Sequence, residues 1–217
     1  PDKYTEAAVR AATEDSLRRL GVSTLDLTQL HCIPIEELRR GDVFEWLGKL
    51  QREGKIRHFG ASVESMEEAL LCLQQPGLVS LQIIFNIFRQ KPIQALFPKA
   101  KEKGVAIIVR LPLASGLLSG KLTKQSKFPQ NDHRNYNRDG QFFNVGETFA
   151  GLPFEKGVEL ADDLKSLVPS GLTMAQMAQR WILDFDAVSV VIPGASRPEQ
   201  AWANAEISGL PPLGPKQ

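Results

Sequence analysis

Ser196, Arg197, Pro198 and Glu199 form the sharpest local signal in the chain. A serine followed three residues later by a glutamate is a capping box, and a proline suits the first turn of a helix. The free N–H groups of such a helix start, together with its dipole, attract an anion. Arg197 adds a guanidinium fork that fits a phosphate. The plain alternative is a capped helix carrying a solvated arginine. A second signal lies in Leu113 to Lys121, where Ser115, Gly116, Ser119 and Gly120 are small enough for backbone N–H groups to approach a phosphate closely, and Lys121 adds charge. His31 stands at the end of an alternating segment and offers an imidazole that can donate or accept a hydrogen bond; its alternative is a structural histidine. Cys32 and Cys72 are too few for a disulfide framework and have no metal-like neighbours at short spacing. Reduced thiols and no metal are expected.

The elements that must carry these residues alternate between helix and strand. Residues 5–20 put Val9, Ala12, Leu17 and Leu20 on one helical face, with Gly21 as the stop. Leu25 to His31 alternates apolar and polar as a strand does. Val43, Trp46, Leu47 and Leu50 mark the next helix, which Gly54 ends. Ile56 to Gly60 reads as a strand, Met66 to Leu73 as a helix, Val79 to Ile84 as a strand, and Ile93 to Lys103 as a helix stopped by Gly104. Val105 to Val109 is a continuous apolar run that suits a parallel strand buried on both faces. Helices are expected at 154–167 and 173–184, the second capped by Thr173. A last strand follows from Ala187 to Ile192, and a final helix from Ser196.

Five strands separated by helices, with no hairpin signal, mean parallel β/α units. Both an open doubly wound sheet and a (β/α)8 barrel satisfy that pattern. No G-x-G-x-x-G follows a strand, which argues against a dinucleotide-binding doubly wound fold. The stretch 114–153 is longer than ordinary connections and follows a strand end, so it reads as a substrate or cofactor lid, with a disordered surface loop as the alternative.

The 217 residues suit one domain, and the 42% hydrophobic content suffices for a core. A net charge of +1 gives no long-range field to draw nucleic acid or an anionic membrane. No apolar run reaches the roughly 18 residues that span a bilayer. The opening Pro1-Asp2-Lys3-Tyr4 shows neither a signal segment nor an initiator Met, so a processed chain or a fragment of a cytoplasmic protein is expected.

Several strand ends resemble one family, the aldo/keto reductases. Gln29-Leu30-His31 resembles the family's strand ending in its catalytic histidine. Gly54 to Ser62 resembles "GKIRxxGxS", Gln82 sits where the family has a strand glutamine, and Arg110 to Lys121 is similar to "PLxxGLLxGK". Val191 to Gln200, with Asn204, resembles the final strand and cofactor helix. The resemblance runs in order over essentially the whole chain and implies the (β/α)8 barrel. It also implies that three earlier strands belong before residue 5. In the family these carry an aspartate, an acid tyrosine in a D-x-A-x-x-Y pattern and a lysine. Neither Tyr4 nor Tyr136 follows an aspartate at that spacing.

The resemblance further implies reduction of an aldehyde or ketone by a hydride from NADP(H). His31 would polarise and orient the carbonyl. Ser62 and Gln82 would hold the nicotinamide carboxamide, although Val63 replaces the family's usual asparagine. Ser62 has a helix N-cap as its alternative and Gln82 an ordinary buried polar role. Arg110 would stack on the nicotinamide, its alternative being a salt bridge at the barrel rim. Leu113, Ser115, Gly116, Leu118, Gly120 and Lys121 would hold the pyrophosphate. Gly194, Ser196, Arg197 and Gln200 would contact the 2′-phosphate, and Asn204 the adenine. Within these 217 residues only His31 would be catalytic, so the chain alone is expected to be inactive. A non-enzymatic nucleotide-binding relative, or a partial barrel whose open edges pair with another chain, are the alternatives.

Overall fold

The computed structural model describes residues 4–214, so most of the opening Pro1-Asp2-Lys3-Tyr4 lies outside it. The elements in chain order are α1 (Glu6–Leu20), β1 (Leu25–His31), α2 (Ile35–Arg40), α3 (Asp42–Arg52), β2 (Ile56–Ser62), α4 (Met66–Cys72), β3 (Leu78–Ile84), α5 (Pro92–Ala95), α6 (Phe97–Glu102), β4 (Ala106–Arg110), α7 (His133–Tyr136), α8 (Phe154–Leu164), α9 (Met174–Leu183), β5 (Val188–Val191) and α10 (Pro198–Glu206). The strands hydrogen-bond in the order β1-β2-β3-β4-β5, and the β1–β2 and β2–β3 pairs are parallel. The chain forms two compact units.

The first unit comprises residues 1–83 and 93–107. Thr5 caps α1 by accepting from Ala8 N at 3.2 Å, and Gly21 ends the helix at φ 67°. Within α3, Val43, Phe44, Leu47 and Leu50 are buried, following the expected helical spacing. Leu47 is wholly buried, which contributes about 2 kcal/mol for a side chain of that size. The helix expected over 93–103 is broken at Leu96 into α5 and α6, because Pro98 opens a new first turn. The short α2 has no counterpart among the expected elements. It starts at Pro34 without a side-chain cap.

The second unit comprises residues 84–92 and 108–217. Its core gathers Leu117, Leu118, Phe149, Phe154, Val158, Met174, Met177 and Ala178. Gly157 lets α8 approach closely, since a Cβ there would lie 2.6 Å from Leu117 Cδ1. Thr173 and Gln176 form a reciprocal capping box at the start of α9. The stretch 114–153 is folded rather than disordered: it packs its own short helical turns and sends Phe149 into the core. No helix among the described residues is long and apolar enough to cross a membrane.

Candidate active site

In the first unit, the register of three parallel strands lines up the candidate residues. His31 pairs with Ser62, and Ser62 pairs with Gln82. Register partners lie side by side about 4.8 Å apart and point to the same face. An imidazole, a hydroxyl and an amide therefore form one row, with His31 and Ser62 as the last residues of β1 and β2. His31 is exposed, Gln82 half-buried and Ser62 buried. Ser62 is not a helix cap. Ser65 caps α4 instead, accepting from Glu68 N at 3.2 Å while Glu68 returns a bond to Ser65 N at 3.0 Å. Cys32 follows His31 at φ 48°, its sulfur 3.9 Å from Ser62 Oγ. Cys72 is buried, and burial followed by the Glu68 charge pushes its thiol up to about 12.

The layer below supports this row. Gln29 pairs with Gly60, and Gly60 with Ser80. Gln29 Nε2 donates to Ser80 Oγ at 3.3 Å. The serine occupies the space a side chain at Gly60 would need: a Cβ there would lie 2.1 Å from Ser80 Oγ and 2.6 Å from Ser80 O.

In the second unit, Arg110 ends β4 and is buried, paired with Glu147 of the long loop. Arg110 thus makes a salt bridge, to a residue with no sequence signal. Beyond Arg110 the backbone is strained. Leu111 (φ 53°), Ala114 (φ 46°) and Ser115 (φ 56°) adopt left-handed conformations before Gly116 (φ 100°). Each such non-glycine residue costs about 1 kcal/mol, and such strain persists only when its surroundings hold it. The holders are identifiable. Wholly buried Asn86 donates to Leu111 O at 3.0 Å and accepts from Phe88 N at 3.0 Å. Ser115 Oγ donates to Glu147 O at 3.0 Å and accepts from Phe149 N at 3.2 Å. His133 Nε2 lies 3.4 Å from the same hydroxyl, with its Nδ1 3.6 Å from Asp132. That Ser–His–Asp alignment fastens the loop and is not a nucleophile: the hydroxyl proton goes to Glu147 O, and Asp132 is held by Arg134 at 2.7 Å. Among the other loop candidates, Leu118 is wholly buried, backbone included, and so is closed to a ligand. Leu113 and Gly120 are half-buried and Lys121 is exposed.

The last helix starts later than expected. Its N-cap is Arg197, with Pro198 in the first turn. The reciprocal contact runs to Gln200 rather than Glu199, and Gln200 Oε1 accepts from Ser196 N at 2.7 Å and from Ser196 Oγ at 3.0 Å. Gly194, Ser196 and Arg197 are exposed, and among the described residues Arg197 makes no ion pair. Asn204 is half-buried and bonds to Gly194 O at 3.5 Å.

The Aldo/keto reductase family profile matches residues 1–217. The chain belongs to the aldo/keto reductase family. It is 29% identical over 209 residues to Aldo-keto reductase YhdN of Bacillus subtilis (strain 168), covering 94% of this chain and 59% of that protein. It is 28% identical to the uncharacterized oxidoreductase YqkF of the same organism, covering 93% of this chain and 60% of the relative. Thus the chain spans about three-fifths of the curated relatives it matches. Among solved structures, the holo form of aldo-keto reductase AKR11C1 from Bacillus halodurans superposes with a TM-score of 0.74 at 27% identity, over 97% of this chain and 64% of that one. The glycerol dehydrogenase AKR11B4 from Gluconobacter oxydans gives 0.68 at 26% identity, over 97% and 67%. These neighbours carry the family's (β/α)8 architecture, and the chain is an oxidoreductase-family protein.

Proposed function

We propose that the protein is an NADP(H)-dependent reductase of aldehydes and ketones. The observation that carries this reading is the row of His31, Ser62 and Gln82 set by strand register. The bound dinucleotide supplies the hydride. His31 donates a hydrogen bond to the carbonyl oxygen, polarising it and fixing its angle. Ser62 and Gln82 match the donors and acceptor of a carboxamide. The Arg110–Glu147 pair offers a guanidinium plane with its charge balanced.

The donor set fits the phosphates as well. The strained turn at Ala114–Gly116 is the kind of backbone that turns N–H groups outward to an anion. The exposed start of α10 with Arg197 suits a 2′-phosphate. The proton for the product oxygen comes from a tyrosine, supported by a lysine and an aspartate, that these 217 residues do not supply at the family's spacing.

Melting with matched concentrations of NADPH and NADH tests the cofactor half. At 100 times Kd a ligand stabilises by about 2.7 kcal/mol. NADPH is expected to raise Tm more than NADH does, and Arg197→Ala to remove most of the difference. Equal shifts in the unaltered protein reject the phosphate clamp. Turnover tests the acid: the 217-residue chain alone should not oxidise NADPH with any aldehyde, and robust turnover would refute an acid supplied from elsewhere.

A further inference from the structure

Gln179 lies on α9 and is only 2% exposed. Its Nε2 donates to Ala175 O at 3.3 Å and to Asn204 Oδ1 at 3.2 Å. Asn204 on α10 passes the chain on, with Nδ2 3.5 Å from Gly194 O. Both ends of this relay are backbone carbonyls, which only accept. Its polarity is therefore fixed. Turning the Asn204 amide over would set NH2 against NH2 at Gln179 and oxygen against oxygen at Gly194. Packing does not supply this restraint, because no residue of α10 is buried.

We infer that Gln179 is a positioning residue that fixes the amide of Asn204 for recognition of adenine. The inference rests on the NADP(H) reading above and adds the group that sets base selectivity. After its bonds to Gln179 and Gly194, Asn204 keeps one Oδ1 lone pair and one Nδ2 hydrogen. Adenine presents the complementary pair, the N6 amino donor and the N7 acceptor. A 6-oxopurine puts an oxygen where the amino group was and meets Oδ1 with like polarity.

The probes are adenosine 2′,5′-bisphosphate and its 6-oxo counterpart, inosine 2′,5′-bisphosphate. Both are titrated by calorimetry into the full chain and into Gln179→Leu and Gln179→Glu. Leucine removes the relay; a glutamate carboxylate only accepts, so it draws the Asn204 NH2 toward itself. The unaltered protein is expected to prefer the adenine ligand by about tenfold or more. That ratio should fall toward one in both variants, with the inosine ligand binding as well as before or better; Gln179→Leu should melt within a few degrees of the parent, and Gln179→Glu lower, because it buries a carboxylate. A retained base preference in either folded variant overturns the positioning role, as does a parallel loss of both ligands. Absence of binding of either bisphosphate to the unaltered protein defeats the NADP(H) reading itself, and this inference with it.

Discussion

Gly60 has no room for a side chain, and the reason is chemical rather than conformational. Its neighbour Ser80 leans across it to take the Gln29 amide, and the Ser80 carbonyl closes the remaining space. A hydroxyl could swing away from an intruding methyl, but the strand backbone at 2.6 Å could not. Gly60→Ala should therefore lower stability by about 2–3 kcal/mol, as overpacking does. The same change should push Ser62, two residues along β2, out of line with His31 and Gln82. Urea unfolding monitored by circular dichroism measures the first effect. A midpoint unchanged from the parent would mean that the sheet yields there, and the supporting layer would lose its stated role. His31, Ser62 and Gln82 were singled out by their resemblance to the family's strand ends, and the strand register sets them side by side. Glu147 and Asn86 were not. Glu147 sits in a polar loop where any acid looks solvated, and only the fold shows it half-buried and paired with Arg110.

At the scale of elements, local rules located most strands and helices and misplaced their ends where two rules competed. Ser196 with Glu199 satisfies the capping-box pattern, yet Arg197 is the cap, Pro198 takes the first helical position, and Gln200 rather than Glu199 turns back to Ser196. Pro98 likewise splits one expected helix into α5 and α6. The long loop shows how a short element is held by charge. Asp132 caps the four-residue α7 by accepting from Arg134 N at 2.9 Å, and it also pairs with the Arg134 side chain at 2.7 Å. Those bonds, led by the one from the guanidinium, hold its carboxyl at about 2, below the ordinary 3.8. A folded-state pKa below the unfolded one gives stability that is complete above about pH 4 and lost as pH falls toward 2. For this largely shielded carboxyl the contribution is about 1–2 kcal/mol. Asp132→Asn keeps a good cap but removes the charge. Its Tm should fall by a few degrees at pH 7, and the gap to the parent should close by pH 2. A gap that is constant over that range would assign the stabilisation to the cap alone.

For the whole molecule, five strands alternating with helices and lacking a hairpin signal were sufficient to expect parallel β/α units, and alternation alone left open which parallel architecture they build. Sequence resemblance made that choice, and the superposition on AKR11C1 agrees with it. The division into two compact units could not be read from the pattern, because residues 84–92 join the later part of the chain across an intervening helical stretch. Only contacts such as the stacking of Phe85 on Trp181, with ring centroids 5.2 Å apart, reveal it. The proposed cofactor residues divide along the same line. Those for the carboxamide belong to the first unit, and those for the phosphates and adenine to the second. Hydrogen exchange can read the two separately. Saturating adenosine 2′,5′-bisphosphate should slow amides around 113–121 and 194–204 by up to about a hundredfold at 100 times Kd, and leave the ends of β1, β2 and β3 unchanged. NADPH should add protection at residues 31–33, 62–64 and 82–84. A fragment that protects both sets equally would show that phosphate binding tightens the fold as one body. Protection by NADPH confined to the second unit would remove Ser62 and Gln82 from the cofactor site while leaving Arg197 in it.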